Sequence, residues 1–188
     1  MKKLQAFILS RRGMILLIVS GVLTAAICLL MNAVLIPAIE RTTQGVRCFD
    51  MNFAYDYETA QRFSELLSAE GKTVYLTRQL PLDFVYPMCY FCFFSCAVVR
   101  LRKKPDGFVL LPLLLAITDV TENVCIEIML RAETLSRPLV FFAGCVTTTK
   151  TVLMYVCFLM LAVLLIRRLY LKSKVLPAAR AGQDAAGR

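Results

Sequence analysis

Four apolar stretches separated by short charged segments constrain this chain more than any other feature. The first, Met14 to Ile36, carries no charged residue. At about 1.5 Å of rise per residue it covers the ~30 Å hydrocarbon core of a bilayer. Inside that core the backbone must satisfy its own polar groups, so such runs fold as helices. The second run is Phe84 to Val99, extended by Leu80-Pro81-Leu82, with Asp83 at its mouth. The third, Phe108 to Leu130, is broken by Asp119, Glu122 and Glu127, and the fourth, Leu139 to Ile166, only by Lys150. The predicted architecture is all-α, a four-transmembrane-helix bundle with spans at about 14–36, 82–99, 108–130 and 139–166 of a membrane domain 14–172. A hydrophobic fraction of 59% supports this, since soluble domains run at roughly 45–50%. A cleavable signal peptide competes for the first run. Its core should be only ~7–15 residues long, and Leu35-Ile36-Pro37 is a poor cleavage site, so a retained helix is expected.

Charge placement predicts orientation. Lys2, Lys3, Arg11 and Arg12 precede the first run, Arg100, Arg102, Lys103 and Lys104 follow the second, and Arg167, Arg168, Lys172 and Lys174 follow the fourth. Basic residues mark the cytoplasmic side, which puts the N-terminal segment 1–13, the middle turn and the tail 173–188 there. The expected location is the cell membrane, multi-pass, with both termini cytoplasmic and the tail disordered. The formal charge of +9 belongs to these flanks, so a nucleic-acid partner is not expected. The bilayer is the first partner implied.

The loop 37–81 then faces outward. Asp56 is a candidate N-cap, and Ala60, Phe63, Leu66 and Leu67 follow at helical spacing, with Gly71 as the stop. This reads as a short amphipathic helix, acting either as a lid over a cavity or as a spacer.

Histidine is absent, which removes Ser-His-Asp and Cys-His catalysis and most zinc-hydrolase sites. No metal or cofactor is expected. Attention falls on the ionisable groups inside the apolar runs, because each costs several kcal/mol unless it pairs or lines a wet cavity. Asp119, Glu122 and Asn123 share one helical face, and Lys150 lies at about the same depth on the returning helix. On the second run Asp83, Tyr86 and Tyr90 share a face running inward from the mouth. These seven residues make the expected ligand-binding polar pocket, open to the outside, with Asp119 and Glu122 holding one proton between them opposite Lys150. Interhelical glue is the alternative.

Of eight cysteines, only Cys48 falls in a loop, so small apolar filler is the first reading. Cys89 and Cys92 form a Cys-x-x-Cys near the outer end of the second run. This spacing resembles that of four-helix membrane thiol oxidoreductases that pass electrons to quinones. Such a shuttle needs a second outer cysteine pair, and Cys48 stands alone.

Asp83-Phe-Val-Tyr86-Pro87-Met-Cys-Tyr90 and Asp119-Val-Thr-Glu122-Asn123, preceded by Gly71-Lys-Thr-Val-Tyr75-Leu, together resemble a family of small bacterial four-helix integral membrane proteins of uncharacterised function. The likeness covers about residues 50 to 130 and implies fold and location, not activity. Sterol isomerase and sigma-2-receptor-like proteins share intramembrane carboxylates but no motif, an analogy of fold alone. The leading expectation is binding, or proton-coupled handling, of a small amphiphile or lipid in the polar pocket. The alternatives are an accessory subunit docking a partner membrane helix, and a membrane enzyme, either a carboxylate isomerase or a thiol oxidoreductase.

Overall fold

The computed structural model describes residues 2–104 and 106–186, with side chains as far as Ser173. The expected disordered tail, 173–188, falls almost wholly on residues whose side chains lie outside that set. Among the described residues there are helices and turns and no strands. Four helices are long and apolar enough to cross a membrane. A short leading helix, α1 (Lys2–Leu9), is followed by α2 (Arg11–Thr43), α3 (Tyr57–Leu66), α4 (Ala69–Arg102), α5 (Gly107–Arg131) and α6 (Arg137–Ala186).

The ends of these helices follow local chemistry. The Ser10 hydroxyl accepts the Gly13 N–H at the start of α2, and the Asp56 carboxylate accepts the Thr59 N–H at 2.8 Å at the start of α3. That contact holds the Asp56 carboxyl below its ordinary range. The helix it caps stops at Leu66, not at Gly71. The Ser68 hydroxyl accepts the Gly71 N–H at 3.0 Å and starts α4, which runs straight through the glycine. Gly71 is there for space: a Cβ would lie 2.1 Å from the Thr42 hydroxyl of α2. At the other end of α4, Lys103 adopts a left-handed conformation, φ 58°, and turns the chain into α5.

Two wide π-turns interrupt the long helices, Met31–Leu35 in α2 and Tyr75–Gln79 in α4, and they pack against each other. Each is followed after one residue by a proline, Pro37 or Pro81. Proline lacks an N–H and crowds the carbonyl four residues back, so an extra residue in the preceding turn relieves both problems.

α2 packs on α4, α4 on α5, and α5 on α6, while α6 returns to α4. α2 and α4 are 33 and 34 residues long, roughly 50 Å each, so both overshoot α5 at the loop end. The segment between them fills the step. Phe49 stacks on Tyr55 and Phe63, with ring centroids 5.4 and 4.6 Å away, and Phe63 stands edge-on to Tyr75 at 6.2 Å. This aromatic cluster sits on Ile126, Met129 and Leu130 of α5 and on Val140 and Ala143 of α6. The Thr148 hydroxyl donates to the Phe53 carbonyl at 3.0 Å and the Tyr57 hydroxyl to the Leu135 carbonyl at 3.3 Å. Gly144 permits the closest approach: a Cβ there would lie 2.8 Å from the Tyr55 carbonyl oxygen. The 37–81 segment is therefore a packed cap.

Candidate functional site

Asp119 and Glu122 lie one turn apart on α5, facing Lys150 and Thr147 on α6 and Tyr90 on α4. The Lys150 ammonium is 3.5 Å from Asp119 Oδ1 and in direct contact with Glu122 Oε2. The remaining oxygen of each carboxylate accepts a hydroxyl. Tyr90 donates to Asp119 Oδ2 at 2.9 Å, and Thr147 donates to Glu122 Oε1 at 2.5 Å. Both carboxylates thus share one scheme, half ion pair and half hydroxyl bond, drawn from three helices. Asp119, Glu122 and Asn123 are 4%, 0% and 1% exposed. Burying charge at that depth is tolerable only with partners of this quality.

Asn123 has a different task. Its amide donates to the main-chain carbonyl of Asp83 at 2.7 Å. Four residues beyond Asp83 stands Pro87, inside α4 and without an N–H. The carbonyl that would have accepted it is left without its helical donor. Asn123 of α5 supplies that donor and ties the two helices at the defect.

The Asp83 carboxylate accepts the Gln79 side-chain amide at 2.9 Å. Among the described residues no cation comes within ion-pair distance of it. Polar groups continue toward the loop end through Gln79, which belongs to the second π-turn, and Asp50, which accepts the Tyr75 hydroxyl at 2.8 Å. Asp50 lies within electrostatic reach of Asp83 and Asp119. Tyr55 places its hydroxyl beside Thr147 and Glu122, and burial raises that phenol above its ordinary range. Asp50, Tyr55, Tyr75 and Gln79 are members that sequence reasoning missed. Each arrives from the cap or from the extended start of α4, by contacts that no local spacing encodes.

Four of the seven expected residues meet in one network, Tyr90, Asp119, Glu122 and Lys150, while Asp83 and Asn123 are joined to each other through the Asp83 main-chain carbonyl. Tyr86 joins only at its edge, its ring 5.1 Å from Tyr90 and its hydroxyl beside Cys28 of α2. Toward the loop end the further polar groups are Asp83, Gln79 and Asp50. Glu127 stays apart, in an exposed pair with Arg131 at 2.9 Å. Toward the loop end Tyr55 lies beside Thr147 and Glu122, and Glu122 is wholly buried.

Cys89 and Cys92 are half-buried free thiols, with no hydrogen bond or ion pair joining them to the cluster. Cys48 is fully buried in the cap. Burial first, and then Asp50 and Glu40, push its thiol far up, which leaves a poor nucleophile where a redox shuttle would need a reactive one. Among the described residues no group of three or more carboxylates and thiols is placed to hold a metal. The chain finds no match among protein-family models, curated proteins or solved structures, so its buried ion cluster is what bears on function.

Proposed function

We propose that this is a polytopic membrane protein whose intramembrane cluster handles a proton together with a small amphiphile or lipid. The membrane half rests on an inversion of ordinary burial. Glu122 and Asn123 are hidden, whereas Phe141, Leu29, Leu159 and Val22 are 75%, 68%, 65% and 62% exposed. Water would make that arrangement costly, and lipid makes it natural. The basic flanks fit both termini on the cytoplasmic side, with the cap outside. The likeness carried by the Asp83–Tyr90 and Asp119–Asn123 segments points to small bacterial four-helix membrane proteins.

The proton half rests on a single count. Asp83, Asp119 and Glu122 are all buried, and among the described residues Lys150 is the only cation that pairs with any of them. One ammonium balances one carboxylate, so the network is close to neutral only when it holds protons. Infrared difference spectra across about pH 5 to 8 test this. A protonated-carboxyl band is expected, diminished in Asp119→Asn, Glu122→Gln or Asp83→Asn. Absence of any such band in the wild type sinks the proton-coupled reading.

A second reading is favoured by the closed packing. Every carboxylate oxygen of Asp119 and Glu122 is engaged, which suits a keystone locking three helices. Under that reading Lys150→Met lowers stability by ~3–5 kcal/mol and a second change, Glu122→Gln, restores much of it, with no carboxyl band in the wild type. An accessory role docking a partner helix belongs with this second reading.

A further inference from the structure

Two cavities lie at the basic end of the bundle, where the basic residues of α6 begin 17 residues beyond Lys150, ~25 Å at 1.5 Å per residue. The first, about 560 Å³, is lined by Lys103 and Lys104 of the α4–α5 turn and by Arg167, Arg168 and Lys172 of α6. Arg102 also lines it, but its guanidinium is taken by Asp106. Among the described residues no acidic side chain lines this cavity. Leu101 and Arg168 also line the second cavity, a groove of about 500 Å³. The walls of that groove are apolar: Leu17 of α2, Phe93 and Ala97 of α4, and Phe158, Leu161 and Ala162 of α6. Both volumes fall within the ~300–1,000 Å³ of ligand sites.

Two arginines line the groove, Arg100 and, where it meets the cavity, Arg168, and both are held by neutral groups. Arg100 donates to the Ile8 and Ser10 carbonyls, the latter at 3.2 Å, and Arg168 donates to the Arg100 carbonyl at 3.1 Å. Carbonyls fix the guanidinium planes without cancelling their charge.

The geometry points to a site for one anionic glycerophospholipid, with its phosphate among Lys103, Lys104, Arg167 and Lys172 and an acyl chain along the groove to Phe93 and Phe158. Charge complementarity selects the head group, and the continuous apolar groove selects a lipid over a soluble anion. Orientation by basic flanks requires only that the charges lie on one side of a membrane. It does not require the α4–α5 turn and the far end of α6 to converge on one cavity beside an apolar groove. The inference rests on the membrane reading and is independent of the acidic cluster.

Delipidated full-length protein in neutral detergent, titrated with phosphatidylglycerol, with phosphatidylcholine of the same chains, or with inorganic phosphate, tests the site through thermal midpoints and native mass spectrometry. Phosphatidylglycerol is expected to bind the wild type at least about tenfold tighter than phosphatidylcholine, since each basic group near an anionic head group contributes measurably. The combined change Lys103→Gln, Lys104→Gln, Arg167→Gln and Lys172→Gln should bring that ratio near one. Ala162→Phe fills the groove and should weaken both lipids while keeping the ratio. Equal binding of the two lipids by the wild type overturns the proposal, with no variant needed. So does stabilisation by inorganic phosphate equal to that by phosphatidylglycerol, which would assign a soluble-anion site. Failure of the membrane reading looks different: the protein would be recovered without detergent.

Discussion

Lys150 stands between two carboxylates that each reserve their second oxygen for a hydroxyl, and that division of labour was half readable beforehand. The depth match of Asp119, Glu122 and Lys150 follows from counting along two antiparallel helices. The face shared by Asp83 and Tyr90 follows from helical spacing. The hydroxyl partners do not, because four threonines crowd Lys150 and only packing selects Thr147 for Glu122. Asn123 teaches the sharper lesson. Its polar side chain reads as one more member of a binding pocket, whereas its amide repairs the gap that Pro87 leaves at Asp83. The signal was present as a proline four residues after Asp83, but nothing local says which neighbouring helix mends it. A double-mutant cycle tests the repair. Asn123→Ala should cost ~1–3 kcal/mol by leaving a buried carbonyl unsatisfied. In a Pro87→Ala background the restored N–H reaches that carbonyl, and the same change should cost less than half as much in thermal or denaturant unfolding. Equal costs in both backgrounds would break the link between the two residues.

Among elements, the long helices were legible by composition and their ends were not. α4 begins at Ala69, well before the apolar run at 82, because Ser68 caps it and Gly71 slips past Thr42. The π-turns ahead of Pro37 and Pro81 lay outside any periodicity argument, since one extra residue per turn shifts the face it would read. The cap depends on close approach to α6 at Gly144, and this gives a prediction with opposing terms. Gly→Ala inside a helix ordinarily adds ~0.8–1 kcal/mol of stability. Here the new methyl meets the Tyr55 carbonyl at 2.8 Å, and overpacking of that kind costs ~1–3 kcal/mol. Gly144→Ala should therefore be neutral to destabilising and should hasten proteolysis within 44–56. A gain of ~1 kcal/mol with unchanged proteolysis would mean that the cap does not rest on α6.

At the level of the whole molecule, four apolar helices and three basic clusters were enough to anticipate the bundle, because both features are written one residue after another. Of the cap only the short helix after Asp56 was legible, as a lid or a spacer; its seat was not, since it is made of contacts between residues far apart in sequence. The same clusters set the expected orientation, which labelling with an impermeant thiol reagent in intact cells checks. With the native cysteines replaced by alanine, Glu58→Cys should react and Lys104→Cys should be protected; both positions are exposed in the fold. The reverse result inverts the topology. The step between the long helices and α5 also carries a consequence for time. Under the proposed function, anything that reaches Lys150 from the loop end waits for the Phe49–Tyr55 segment to lift. Loop and lid movements of that kind occur in microseconds to milliseconds. Traffic to the cluster is then paced by the cap's own opening clock, and loosening the seat at Gly144 would run that clock faster without touching a single charged group.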